Sequence, residues 1–123
     1  MKDKQRPDLV KKAIVPDVAL GAHTASLGLA FDEKATLPGK YKGGAFVGQH
    51  GSWNRSQFAG YKVLFVPFEN GKPGGKPEDF LTGFLTGEEN KVYGRPVSIA
   101  FTQKGAMLVT DDASNTIWMV RAK

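Results

Sequence analysis

The 123-residue chain contains no cysteine, which excludes a disulfide framework, thiolate nucleophiles and Cys-ligated zinc. Long apolar runs are also missing. None approaches the roughly 20 residues that span a bilayer as a helix, so no membrane span is expected. The first ten residues, MKDKQRPDLV, alternate in charge and have no apolar centre, so they do not read as a signal peptide. Histidine is scarce, with only two residues. His23 and His50 stand far apart in a chain without a G-x-S-x-G elbow or metal-ligand spacing. From these absences no catalytic residue and no metal ligand is assigned.

A strong charge bias of local origin is lacking too. The formal net charge is +5, but the lysines are scattered singly or in pairs and form no helical stripe. That pattern reads as a solvated surface, and no nucleic-acid partner is expected. What the chain has in quantity is turn chemistry: 15 glycines and 7 prolines within an ordinary 41% hydrophobic composition. Short apolar runs separated by such residues predict an all-β fold in a single domain.

The runs are LVKKAIV (9–15), SLGLAF (26–31), GAFVGQ (44–49), YKVLFVPF (61–68), DFLTGFL (79–85), PVSIAF (96–101), AMLVTD (106–111) and TIWMVRA (116–122). The segment ENGKPGGKP between the fourth and fifth reads as loop. Three of these runs recur in order. SLGLAF matches PVSIAF, with Ala30-Phe31 repeated as Ala100-Phe101; GGAFVGQH matches KGAMLVTD; YKVLFVPF matches TIWMVRA. A three-strand meander with a weaker outer strand is the blade of a β-propeller. The chain therefore predicts about two four-stranded antiparallel blades: residues 1–19 as an outer strand or linker of a preceding blade, unless LVKKAIV completes a blade by pairing with the chain's end, 20–90 as one blade, and 91–123 as a partial blade without its outer strand.

In such a meander alternate loops emerge at the same end. One end collects GAHTAS (21–26), QHGSWNRSQFAG (49–60), VYGRP (92–96) and TDDASN (110–115), while the other receives turn residues and lysines. His23, His50, Trp53, Asn54, Arg55, Tyr93, Arg95, Asp111 and Asp112 fall on the first rim, which reads as a ligand mouth. Each has a plainer reading. His23 can cap a strand entry, and Trp53 can anchor a long loop. Arg55 and Arg95 suit planar carboxylates but can equally pair with Asp111 or Asp112. Asp111-Asp112 before Ala-Ser-Asn fits an Asx-type turn.

The segments GAHTASLGLAF, GGAFVGQHGSWNRS, GYKVLFVPFENGKP, YGRPVSIAF and AMLVTDDASNTIWMV, from about Arg6 to the end, resemble the C-terminal third of the sorbosone dehydrogenase group of sugar dehydrogenases that depend on pyrroloquinoline quinone (PQQ). The resemblance implies a six-bladed propeller with its cofactor on one face. It also implies oxidation of a sugar by hydride transfer to the quinone, with calcium orienting the cofactor. Arg95 matches the cofactor-side arginine of that family, and Arg55, His50, Trp53 and Asn54 match the adjacent cofactor-contacting loop. The general-base histidine and most calcium ligands of the family belong to earlier blades, so a chain of this length is expected to be inactive alone, as a truncated sugar dehydrogenase. The alternative is an inactive propeller piece that binds carbohydrate or protein. Full-length members are expected in the periplasm. Two blades would leave sheet faces uncovered, which predicts self-association, in the form of a trimeric ring.

Overall fold

Strand periodicity and turn residues do most of the work of arranging this chain. A computed structural model describes residues 5–34, 36–53, 56–86 and 91–123. It is nearly all-β, 6% helical and 38% strand. The first sheet contains β1 (Ser26–Phe31), β2 (Ala45–Gln49), β3 (Lys62–Val66) and, after a short hairpin of β4 (Phe68–Glu69) and β5 (Lys72–Pro73), β6 (Glu78–Leu81). Its order is β1-β2-β3-β6, every pair antiparallel. The second sheet is a three-strand antiparallel meander of β7 (Pro96–Phe101), β8 (Met107–Asp111) and β9 (Thr116–Val120). The matched segments of the repeat thus occupy matched positions in two blade-like sheets, the second of which has no outer strand among the described residues.

Two faces of the first sheet are apolar, which is why β2 is buried along its whole length. Phe46, Val63 and Phe65 point toward the second sheet and meet Ile99, Met107 and Val109. Period-2 alternation sends Ala45, Val47, Leu64 and Val66 to the opposite face, where Val18, Leu20 and Phe68 pack on them. Phe46 is fully buried, with ring centroids 4.7 Å from Phe80, 5.2 Å from Phe65 and 5.8 Å from Phe101. These tilted and edge-on aromatic contacts lock the sheets together at the end away from the rim.

Near the rim the two sheets approach more closely still. A methyl group placed on Gly48 would lie 2.7 Å from the Val97 carbonyl oxygen, and one on Gly28 would collide with the same oxygen. Only a residue without Cβ permits that backbone approach. The inner strands β1 and β7 therefore fix the relative position of the sheets, and with it the position of the loops they carry.

Three local expectations change. Residues 9–15 form no strand: Pro7–Val10 is a single helical turn, and Leu9, Val10, Ile14 and Val15 are exposed. Pro7 sits at the first helical position, where its fixed φ favours a turn, and no described strand lies alongside to pair with the segment. The run 61–68 is interrupted at Pro67, which has no N–H to offer a ladder. The 69–77 loop contains the β4–β5 hairpin, whose Asn70-Gly71 turn has φ of 52° and 76°. Two positive φ values are what a twisted two-residue hairpin turn requires.

Gly28→Ala tests the close approach of the sheets. Relieving the collision requires β1 and β7 to separate, and we expect a loss of about 1–3 kcal/mol of stability, measured as a shift in the urea unfolding midpoint. Gly39→Ala, at a position open to solvent, is the control and should leave the midpoint nearly unchanged.

Candidate functional site

Four loops meet at one end of the two sheets. The backbone N–H of His50 donates to the Ala25 carbonyl at 2.9 Å and that of Gly51 to the Thr24 carbonyl at 3.0 Å, which joins the 49–60 loop to the entry of β1. Inside the loop, the Ser52 N–H donates to the Ala59 carbonyl at 2.8 Å, and the Ser52 hydroxyl accepts from the Ala59 N–H at 3.0 Å. The Tyr61 hydroxyl donates to the Ser52 carbonyl, and its buried ring lies under Gly51. A Cβ on Gly51, which has φ of 96°, would fall 2.5 Å from that ring. Tyrosine and glycine thus define the floor over which the loop turns.

Arg95 ties this loop to the second sheet. Its Nε donates to the His50 carbonyl at 3.0 Å, and its Nη2 to the Gly51 and Ser52 carbonyls at 3.1 and 2.9 Å. The guanidinium stands 5.2 Å from the centroid of the Tyr61 ring, in cation–π contact. These bonds use Nε and Nη2, not Nη1. Neither Asp111 nor Asp112 pairs with the guanidinium; the carbonyls of the loop take that place.

The two aspartates have separate tasks. Asp111, 3% exposed, closes an Asx-type turn: its Oδ1 accepts from the N–H groups of Arg95 (2.8 Å), Ala113 (3.1 Å) and Ser114 (3.1 Å). Its Oδ2 accepts from the Ser114 hydroxyl at 2.7 Å and the Trp118 indole N–H at 3.1 Å. Burial alone would push this carboxyl up; the Arg95 amide, Ser114 hydroxyl, Trp118 indole and Ser114 amide outweigh it and hold the group at about 2, below the ordinary 3.8. Asp112 instead reaches outward to His50, with 2.8 and 3.1 Å from Nε2 to its two oxygens.

Of the rim residues read from sequence, His50 and Arg95 are brought together by these bonds. Trp53 is not a loop anchor: its side chain is 78% exposed. It borders, with Ser52, Phe58, Tyr61, Val92 and Arg95, an open recess of about 280 Å³. His23 is exposed in the same end of the molecule, in a turn with φ of 60°. Asn54 and Arg55 lie outside the described residues. Tyr61 and Phe58 are recess residues that sequence reasoning missed. In sequence Tyr61 reads as the start of a strand, and only the preceding Gly60 marks it as the floor of a turn. Among the described residues no cluster of three or more His, Asp or Glu side chains could hold a metal ion. Among the described residues no helix is long and apolar enough to cross a membrane.

A family profile described as TrAA12-like matches residues 6–123. The chain belongs to the TrAA12-like family. Its fold superposes on the PQQ domain of a pyranose dehydrogenase from Coprinopsis cinerea in its holo form, with a TM-score of 0.64 and 26% identity over 81% of this chain and 27% of that one. It also superposes on the calcium structure of a Trichoderma reesei carbohydrate-active enzyme of family AA12, with a TM-score of 0.64 and 25% identity over 80% of this chain and 24% of that one. A protein of uncharacterised function from Borreliella burgdorferi is 38% identical over 102 residues, which make up 82% of this chain and 27% of the relative. The TrAA12-like chain thus spans about a quarter of the length of the proteins it matches. Over that share its fold is like that of the PQQ domain and of the AA12 enzyme.

The state of Asp111 gives a pH dependence with a definite sign. Because the folded value lies below the unfolded one, the carboxylate stabilises the fold above about pH 4, and that contribution is lost as pH falls toward 2. Asp111→Asn should cost about 2 kcal/mol at neutral pH and flatten the acid limb of the stability curve. Chemical denaturation measured between pH 2 and pH 7 in both proteins checks this; parallel curves would refute it.

Proposed function

We propose that this TrAA12-like chain forms part of the cofactor-side rim of a PQQ-dependent sugar dehydrogenase, of the sorbosone dehydrogenase type. The observation that carries the reading is the guanidinium of Arg95, fixed in orientation by three loop carbonyls and set beside the exposed indole of Trp53 at a solvent-open recess. PQQ is a flat o-quinone bearing three carboxylates. It needs a cation whose position is set in advance and a flat apolar surface, and this rim offers one of each. The neighbouring Asn54 and Arg55 are included in the proposed site on sequence resemblance.

The fit is partial, which itself supports a shared site. A recess of about 280 Å³ is below the roughly 300–1,000 Å³ of pockets that enclose a drug-sized ligand, so it suits one edge of the cofactor. When bound, PQQ supplies the hydride acceptor for sugar oxidation. This chain's own contribution is to bind and orient: among the described residues Nη1 of Arg95 has no acceptor and would serve a carboxylate, Trp53 would cover a ring face, and the His50–Asp112 contact holds the loop against the second sheet. The described residues offer no carboxylate cluster that fits calcium.

The wet-lab test is a titration of PQQ followed by tryptophan fluorescence and calorimetry. Trp53→Ala removes an exposed side chain, so it should leave the melting temperature unchanged while weakening PQQ binding by about tenfold or less, as expected for one stacking contact. Arg95→Lys should weaken both loop and ligand, since an ammonium cannot reproduce the fork. Failure of the folded chain to bind PQQ, or equal affinity in both variants, overturns the reading in favour of a propeller piece that binds carbohydrate or protein.

The uncovered faces support a second part of the proposal, that copies of the chain associate head to tail in a ring, three copies providing six blades. Leu27, Leu29 and Phe31 on β1 and Ile117 and Met119 on β9 are all at least 40% exposed, on the two outer flanks of the pair of sheets.

A further inference from the structure

Among the described residues, five other than glycine have a left-handed backbone: His23 (φ 60°), Ala25 (48°), Tyr61 (58°), Asn70 (52°) and Asn115 (53°). All but Asn70 lie in or beside the loops of the rim. Asparagine and histidine visit this region readily and alanine is small, but a bulky aromatic residue there is an outlier. Such conformations persist only where the surroundings over-determine them, and they gather at binding sites. Tyr61 is the case to explain, since a glycine would make the same turn without strain.

The turn itself is dictated by a narrow neck. A Cβ on Gly60, which has φ of 85°, would lie 2.7 Å from the Thr24 carbonyl oxygen and 2.8 Å from the Gly51 Cα. The two ends of the loop therefore run too close for a side chain between them. The chain then bends into β3 within two residues, and Gly60 and Tyr61 both take the left-handed region to do so. What tyrosine adds to that turn is a side chain placed at the guanidinium of Arg95. Its ring is 4% exposed and stands against the cation, and its hydroxyl donates to the Ser52 carbonyl. Nη2 of Arg95 donates to that same carbonyl at 2.9 Å and to the Tyr61 oxygen at 3.4 Å. The Ser52 carbonyl, the phenol and Nη2 thus form a closed triangle, whose phenol is carried by the residue next to β3.

We propose, on the ligand-facing reading of Arg95 given above, that Tyr61 is the positioning residue for its guanidinium and thereby sets the affinity of the rim for a carboxylate ligand. Cation–π attraction holds a guanidinium over a ring but leaves it free to turn there. The bonds to the His50, Gly51 and Ser52 carbonyls stop that rotation only as far as the carbonyls are themselves fixed, and all three belong to an irregular loop. The phenol ties the Ser52 carbonyl to the start of β3 and gives Nη2 a further acceptor. Nη1, which has no acceptor among the described residues, then points in one direction before any ligand arrives, and a ligand that meets an oriented donor loses less side-chain entropy on binding. A tyrosine that merely filled the space under Gly51 would need its ring and not its hydroxyl.

Tyr61→Phe separates the two roles. It keeps the ring and the cation–π contact, and the Ser52 carbonyl keeps its bond from Arg95, so the melting temperature should stay near that of the wild type. The ligand-free readout is the NMR spectrum of the Arg95 side-chain N–H groups, assigned by their loss in Arg95→Lys. We expect separate, slowly exchanging Nη signals in the wild type and merged signals in Tyr61→Phe, as the guanidinium begins to rotate. A PQQ titration of the same two proteins should show affinity lowered about two- to tenfold in the variant, the range for ordering one side chain. Nη signals already merged in the wild type, or unchanged in the folded variant, overturn the proposal and leave Tyr61 a packing residue. An unchanged PQQ affinity beside merged signals overturns its effect on the ligand. A wild-type chain that binds no PQQ overturns the quinone reading instead, and the Arg95 signals still decide whether Tyr61 holds the guanidinium.

Discussion

The rim depends on one arginine being held at both ends. The backbone N–H of Arg95 is bonded to the carboxylate of Asp111, and its guanidinium to the carbonyls of residues 50–52. The first bond lies within the second sheet and the others reach the first, so a single residue couples the two blades at their loop end. Charge-assisted bonds of this kind are roughly twice as strong as neutral ones, and here they satisfy carbonyls of an irregular loop that no ladder could satisfy. Asp111 is stabilised in its ionised form by the same arrangement. Its five donors come from four residues, and the Trp118 indole among them extends the coupling to β9.

Much of this architecture is legible in the sequence because period-2 burial is legible. SLGLAF and PVSIAF are strands with the boundaries their apolar alternation indicates, and the Ala-Phe repeat correctly aligns the two sheets. The convergence of the 21–26, 49–60, 92–96 and 110–115 loops follows from strand parity alone, before any side chain is considered. What sequence could not show is which atoms would satisfy which. Arg95 and Arg55 were open to pairing with Asp111 or Asp112, yet Asp111 is filled by amides, a hydroxyl and an indole, Asp112 meets His50, and Arg95 turns to carbonyls. Carbonyl acceptors carry no residue-specific signal, so a search for opposite charges cannot find them.

The misread segments share a cause. The 9–15 run has strand composition, but β structure is a property of pairs, and no strand among the described residues lies beside it to form a ladder. In the 69–77 segment the Gly and Pro density concealed an Asn-Gly hairpin signal, which needs only two flanking residues on each side. Both cases show partner geometry overriding local preference, once by withholding a partner and once by providing one within four residues.

The double duty of Arg95 has a consequence for any ligand of the rim. A guanidinium free to move would lose conformational entropy on binding an anion; one already fixed by loop carbonyls has little left to lose. The bonds that make Arg95 structural would therefore also prepare Nη1, which has no acceptor among the described residues, for the proposed ligand. The exposed indole of Trp53 is the converse case, since it contributes little to the fold that carries it and its apolar surface stays in water. Among the described residues Arg95 is accounted for by the bonds that hold the loop, whereas Trp53 packs little against the fold, and it is this difference that the proposed ligand contact is meant to explain.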